Sequence, residues 1–240
     1  MADRTLLMFE AFAGRGEPLT LSELARLLSI PVSTCFNLMR TLQARGYLYE
    51  VGGRKMFYPT ARLLEKARAI ASRDPIRAQL QPHLEALRDE TGETVILGKR
   101  LGDEVVYLSV VEGVHSIRYT ASVGDLKPLY SSAAGKALLG ALPAPEREAL
   151  VARLRLARVT AATITQRAQL LREIDQGVKR GWFTTRGENV ADVMALAAPV
   201  NVGGDTVAVA LAGPIHRMEP KVDAQAKRLV ADCKTMERRP

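Results

Sequence analysis

Residues 18–46, PLTLSELARLLSIPVSTCFNLMRTLQARG, constrain the fold more than any other stretch. They read as two short helices joined by a tight turn, with the second helix built to face outward. The first is expected over about Ser22–Leu28, with Leu24, Leu27 and Leu28 turned inward. Pro31 can open the next helix, because the first helical position needs no backbone N–H partner. Ser33 or Thr34 can satisfy orphan N–H groups in its first turn. Cys35, Leu38, Met39 and Leu42 recur at helical spacing and make an apolar stripe. Ser33, Phe36, Asn37 and Arg40 lie away from that stripe. A short helix backed by a core and presenting hydroxyl, amide and guanidinium groups suits insertion into a DNA major groove.

An ordinary helical hairpin has the same pattern, and the residues that follow separate the two. Gly46 ends the helix and Tyr47–Val51 reads as a strand. Gly52-Gly53 is a hairpin turn signal, and Arg54–Tyr58 is the return strand, closed by Pro59. A preceding helix over Thr5–Phe12 would supply Leu6, Leu7, Phe9 and Phe12 to the core. Three helices and a two-stranded wing tipped by Arg54 and Lys55 make a winged helix-turn-helix.

The totals bound the rest. The chain has 240 residues, 47% of them hydrophobic, which is enough for packed cores. It has no run of 18 apolar residues and no signal-type apolar start, so a cytoplasmic protein without a membrane partner is expected. The two cysteines, Cys35 and Cys233, form neither a disulfide framework nor a metal spacing. The net charge of +8 is spread out: residues 1–60 hold seven Lys and Arg against five Asp and Glu. Placement of Arg40, Arg45, Arg54 and Lys55 therefore says more about a polyanionic partner than the total does.

Beyond Pro59, Ala61–Ser72 reads as a connecting helix and Pro75–Thr91 as a second, ended by Gly92. From Glu93 the period changes to two. Strands are expected at Glu93–Arg100, Glu104–Glu112 and Ser116–Ala121, then at Trp182–Arg186, Met194–Val200 and Thr206–Ala212. Helices are expected at Ser132–Ala141, Pro145–Leu154, Thr165–Arg180 and Glu219–Met236. This order predicts an α+β domain around one antiparallel sheet.

The order of these parts, with SSAAGKALL (Ser131–Leu139) and GWFTTRGENVADVMALAAPV (Gly181–Val200), resembles an IclR-type bacterial transcriptional regulator over essentially the whole chain. The resemblance implies a winged helix-turn-helix DNA-binding domain over 1–60, a linker helix over 61–74 and a GAF-like effector-binding domain over 75–240. It implies a homodimer or dimer of dimers on a palindromic double-stranded operator, a small-molecule effector and no cofactor. The recognition helix departs from the family pattern. Val32 stands where Lys is frequent, and Phe36 and Asn37 stand where Tyr or His, then Arg, are frequent.

Asn37 can pair bidentately with adenine and Phe36 can touch a thymine methyl, which predicts an A·T-containing half-site. Arg40, Arg45, Arg54 and Lys55 are assigned to phosphates, or to the minor groove at the wing. Thr20, Ser22, Val32, Ser33, Thr34 and Thr41 complete the candidate DNA-binding set.

For the effector, Tyr130, Ser132, Ala133, Ala134 and Gly135 lead into a helix N-terminus, where unpaired N–H groups and the dipole favour an anion. Lys136 is not part of a nucleotide loop, since Tyr130 and Ala137 occupy the Gly and Ser/Thr positions of that pattern. It is expected to point to solvent. On the last strand Val207, Val209 and Leu211 alternate with Ala208, Ala210 and Ala212. Met194, Leu196 and Ala198 alternate likewise with Ala195 and Ala197. By the resemblance, Ala133, Ala134, Thr185, Ala195, Ala210 and Ala212 border the effector. Alanines at the last two positions, where hydroxyls accompany very small acids, predict a larger, partly apolar ligand such as an aromatic acid. Tyr107, Tyr119, Tyr130, Arg186 and Glu188 are further candidates. Two other classes compete. An enzyme would need a site, yet His83, His115 and His216 lie in unrelated segments and no G-x-S-x-G elbow occurs. A winged helix can also bind protein without binding DNA.

Overall fold

A computed structural model describes residues 2–53 and 55–237. The chain divides into two compact units, Met1–Asp74 and Pro75–Pro240.

The first unit begins with α1 (Ala2–Arg15), followed by β1 (Leu19–Thr20), α2 (Leu21–Leu27) and α3 (Val32–Ala44). The wing strands β2 (Leu48–Val51) and β3 (Met56–Pro59) and the helix α4 (Arg62–Ala71) complete it. Its sheet has the order β1-β3-β2, so the short β1 extends the expected two-stranded wing. The core gathers Met8, Phe12, Leu24, Cys35, Met39, Leu42 and Leu48. The inward phase of α1 differs from the sequence expectation. Met8 and Phe12, four residues apart, are buried, whereas Leu6 and Leu7 are exposed. On α2, Leu24 and Ala25 are buried and Leu27 is exposed. α2 starts on a capping box: the Glu23 N–H donates to Thr20 Oγ1 and the Thr20 N–H donates to Glu23 Oε2. α3 starts at Pro31 with no side-chain cap, so neither Ser33 nor Thr34 performs the expected capping.

The second unit is a six-stranded antiparallel sheet of order β6-β5-β4-β9-β8-β7. Its elements are α5 (Pro75–Thr91), β4 (Thr94–Leu101), β5 (Glu104–Val111), β6 (Leu126–Pro128), α6 (Ala133–Gly140), α7 (Ala144–Arg153) and α8 (Arg167–Arg180). β7 (Phe183–Arg186), β8 (Val193–Val202), β9 (Asp205–Pro214), α9 (Ile215–Met218) and α10 (Val222–Glu237) follow. The pleat sends Val207, Val209 and Leu211 into a core with α5 and α10, and Ala208, Ala210 and Ala212 into a core with α6 and α8. The small residues let α6, buried along Ala133–Leu139, lie close to the sheet.

No strand forms at 116–121. There, the carbonyls a strand would pair are taken by side chains. Thr94 Oγ1 donates to Tyr119 O (2.5 Å), and Arg217 Nη1 donates to Ile117 O (2.9 Å). Arg217 also holds the buried Glu93 carboxylate through two bonds of 2.6 and 2.7 Å. That fork fixes the loop carrying Tyr119.

Candidate nucleic-acid interface and effector cavity

Cys35, Met39 and Leu42 anchor α3 in the core of the first unit. The helical period then turns Ser33, Asn37 and Arg40 outward, and all three are exposed. Val32 is 52% and Phe36 50% exposed, so Phe36 does not pack inward. Thr41 and Arg45 are exposed and Thr34 is half-buried. Thr41 Oγ1 donates to Asn37 O, which fixes its hydroxyl proton within the helix. Thr34, Asn37 and Thr41 border a groove shared with Asp3 and Arg4 of α1. Arg4 was not among the candidates, because nothing in the sequence registers the start of α1 beside α3.

Thr20 is half-buried and occupied by its capping box with Glu23, whose carboxyl the Thr20 N–H and hydroxyl hold below its ordinary pKa. Ser22 is exposed on the first turn of α2. At the wing, Lys55 is exposed, adopts φ 54°, and its N–H donates to Glu50 Oε1 (3.1 Å). Arg54 lies outside the described residues.

In the second unit the alanine face of β8 and β9, the first turn of α6 and two loops enclose a cavity of about 30 Å³. Tyr107, Tyr119, Ser132, Ala133, Ala134, Thr185, Ala195, Ala210 and Ala212 line it, together with Ile96, Asn189, Val190 and Val193. Ser132 caps α6, its Oγ accepting from the Gly135 N–H (3.2 Å) and donating to Pro128 O (2.8 Å). The N–H groups of Ala133 and Ala134 belong to the first turn, where no intrahelical carbonyl reaches them. Burial pushes the Tyr107 phenol well above its ordinary pKa, and its neighbour Tyr119 adds to the effect.

Four of the candidates lie elsewhere. A Cβ at Gly135 would meet the Leu129 carbonyl oxygen at 2.3 Å, so this glycine serves the packing of α6 on the chain before it. The Tyr130 hydroxyl donates to Ala157 O. Arg186 points away from Thr185 by the pleat of β7, and pairs with Glu219 at the surface. Glu188 lies beside the cavity and receives Lys136 Nζ at 2.7 Å.

Lys136 is the largest correction. It is fully buried, not solvated, because α6 has no solvent face near it. Its ammonium also donates to Thr184 O at 3.2 Å. Burial raises the Glu188 pKa, and Lys136 opposes that shift.

Ile96, Asn189, Val190 and Val193 were not anticipated. Ile96 alternates with Val95 and Leu97 along β4 and so faces the alanine side of the sheet, a signal available in the sequence. Asn189 and Val190 are in a loop, which has no period to read. Among the described residues no three His, Cys, Asp or Glu are arranged to hold a metal ion, and no helix is long and apolar enough to cross a membrane.

Residues 68–236 match the family described as bacterial transcriptional regulator IclR C-terminal, and residues 1–52 match the IclR helix-turn-helix domain. The chain is 31% identical to the HTH-type transcriptional regulator KipR of Bacillus subtilis over 182 residues, 76% of this chain and 72% of that protein. It is 25% identical to the HTH-type transcriptional repressor AllR of Escherichia coli, over 90% of this chain and 80% of that one. The fold is similar to the crystal structure of IclR from Thermotoga maritima, with TM-score 0.81, 27% identity and coverage of 99% and 97% of the two chains. It is also similar to an IclR homolog from Microbacterium hydrocarbonoxydans complexed with 4-hydroxybenzoate, with TM-score 0.78, 24% identity and 98% of each chain covered.

Proposed function

The chain belongs to the IclR family of bacterial transcriptional regulators, and we propose how its own residues read DNA and sense a ligand. It is a DNA-binding regulator with an effector-binding domain, and its relatives are regulators rather than enzymes. Residues 1–60 are the reading unit, 61–74 the linker and 75–240 the effector unit. The regulator works in the cytoplasm, where its DNA is.

α3 enters the major groove. The observation that carries this is its two-faced build: Cys35, Met39 and Leu42 buried, Ser33, Asn37 and Arg40 exposed. Asn37 and Phe36 read bases, while Arg40, Arg45, Arg54 and Lys55 meet phosphates or the minor groove.

The effector is a small carboxylic acid with an apolar body. Its carboxylate faces the first turn of α6, with the Tyr107 hydroxyl and Asn189 amide nearby, and its body lies on Ala195, Ala210 and Ala212. The bound 4-hydroxybenzoate of the Microbacterium relative supports an aromatic acid. The free space is small, so a ring enters only if a wall gives way.

The protein self-associates on a palindromic operator. α4 buries none of its residues and exposes Leu64 and Ile70, and α1 exposes Leu6, apolar side chains of the kind a second copy would cover.

Fluorescence anisotropy of labelled DNA from upstream of the gene, across aliphatic and aromatic acids, tests the whole reading. Binding that one acid class shifts supports it. Absence of binding at low salt favours a protein-binding winged helix instead. Tight binding of glyoxylate or pyruvate with no response to aromatic acids refutes the ligand class.

A further inference from the structure

The segment that closes the cavity on its outer side is folded as one small unit. The Gly187 N–H donates to Val193 O (2.8 Å) and the Val193 N–H to Val190 O (3.1 Å). Gly187 has φ +68°, and the Ala191 carbonyl oxygen lies 2.6 Å from where a Cβ would stand. The turn therefore requires glycine. Asn189, Val190 and Val193 line the cavity from within this flap, and Val190 is 42% exposed on its outer side.

Most of the ties on the flap are neutral hydrogen bonds. Thr160 and Thr163 hydroxyls donate to Gly187 O (2.6 Å) and Glu188 O (2.7 Å). Asn189 Nδ2 donates to Ser131 Oγ (3.1 Å). One tie is ionic. Lys136 Nζ meets Glu188 Oε1 at 2.7 Å, with the lysine side chain 0% and the glutamate side chain 10% exposed. It joins the flap to α6, whose first turn is another wall of the same cavity.

A buried ion pair adds little to stability, since desolvation offsets its attraction and apolar residues of like volume serve as well or better. This pair carries two further costs. Lys136 stands in the first turn of α6, where the helix dipole opposes a cation. Among the described residues, Glu188 Oε2 is buried with no hydrogen-bond partner of good geometry. Such a pair is a poor permanent brace. It suits a reversible fastening, strong while the site is dry and weak once water reaches the unpaired oxygen.

We infer that Lys136 and Glu188 are positioning residues, a buried latch that holds the 187–193 flap shut against α6 and releases transiently to admit an acid. The inference rests on the reading of this cavity as the effector site, but the latch is testable without any effector.

Hydrogen–deuterium exchange on the full-length protein makes that test. The Lys136→Met/Glu188→Leu double variant removes both charges and keeps the bulk. It is expected to melt near the wild-type temperature while amides of 187–193 exchange about tenfold faster or more, with β4, β8 and β9 unchanged. Glu188→Gln keeps the shape and gives a smaller local rise. It carries the test alone if the double variant fails to fold. Unchanged exchange at 187–193, or a uniform rise that tracks a lowered melting temperature, overturns the latch. A second arm adds excess 4-hydroxybenzoate to wild type. Protection of the flap supports the effector reading, and no protection counts against that reading while the ligand-free comparison still decides the latch.

Discussion

Asn37 and Arg40 stand three residues apart on the exposed face of α3, yet their chemistry separates their roles. An amide can match the donor and acceptor of one base edge, whereas a guanidinium on a phosphate meets the same partner everywhere. Asn37→Ala is expected to cost about 1–3 kcal/mol on the cognate site and little on random duplex, measured by competition anisotropy. An equal loss on both rules out base reading by Asn37. Arg40→Ala is expected to weaken binding to every sequence and to reduce the salt-dependence slope by about one. A titration series over salt concentration reads that slope. In the other unit, Ala195 borders the cavity from β8. Ala195→Leu would fill the space and is expected to abolish the effector response while ligand-free DNA binding persists.

Elements show why some features were readable in the sequence and others were not. The alternation along β8 and β9 was legible because a strand has period two and one face is alanine. The phase of α1 was not. Leu6 and Leu7 are as apolar as Met8, and only the tertiary fold decides which are covered. The loop at 116–121 has strand-like residues, but Thr94 and Arg217 from distant segments capture its carbonyls. The burial of Lys136 has the same origin: its partner lies 52 residues on, in a loop without a period. The capping box of α2 is a local device, and Thr20→Ala is expected to cost about 0.5–2 kcal/mol in urea unfolding. The exposed apolar residues of α4 make a prediction at this scale too. Leu64→Glu with Ile70→Glu is expected to shift the protein toward monomer in sedimentation velocity, and an unchanged oligomer would place the association surface elsewhere.

For the molecule as a whole, the effector can change DNA affinity only through its differential affinity for the DNA-competent and DNA-incompetent arrangements. Coupling of this kind is typically about 1–3 kcal/mol, or roughly 5–150-fold, and it is reciprocal. Operator DNA must therefore change the affinity for the acid by the same factor. The most direct measurement is anisotropy of upstream DNA on wild type and Ala195→Leu, with and without a saturating aromatic acid. A shift of at least about fivefold in wild type and none in the variant, with equal ligand-free affinity, is the predicted result. The same shift in both proteins would contradict the account, because the ligand would then be acting from somewhere other than this cavity.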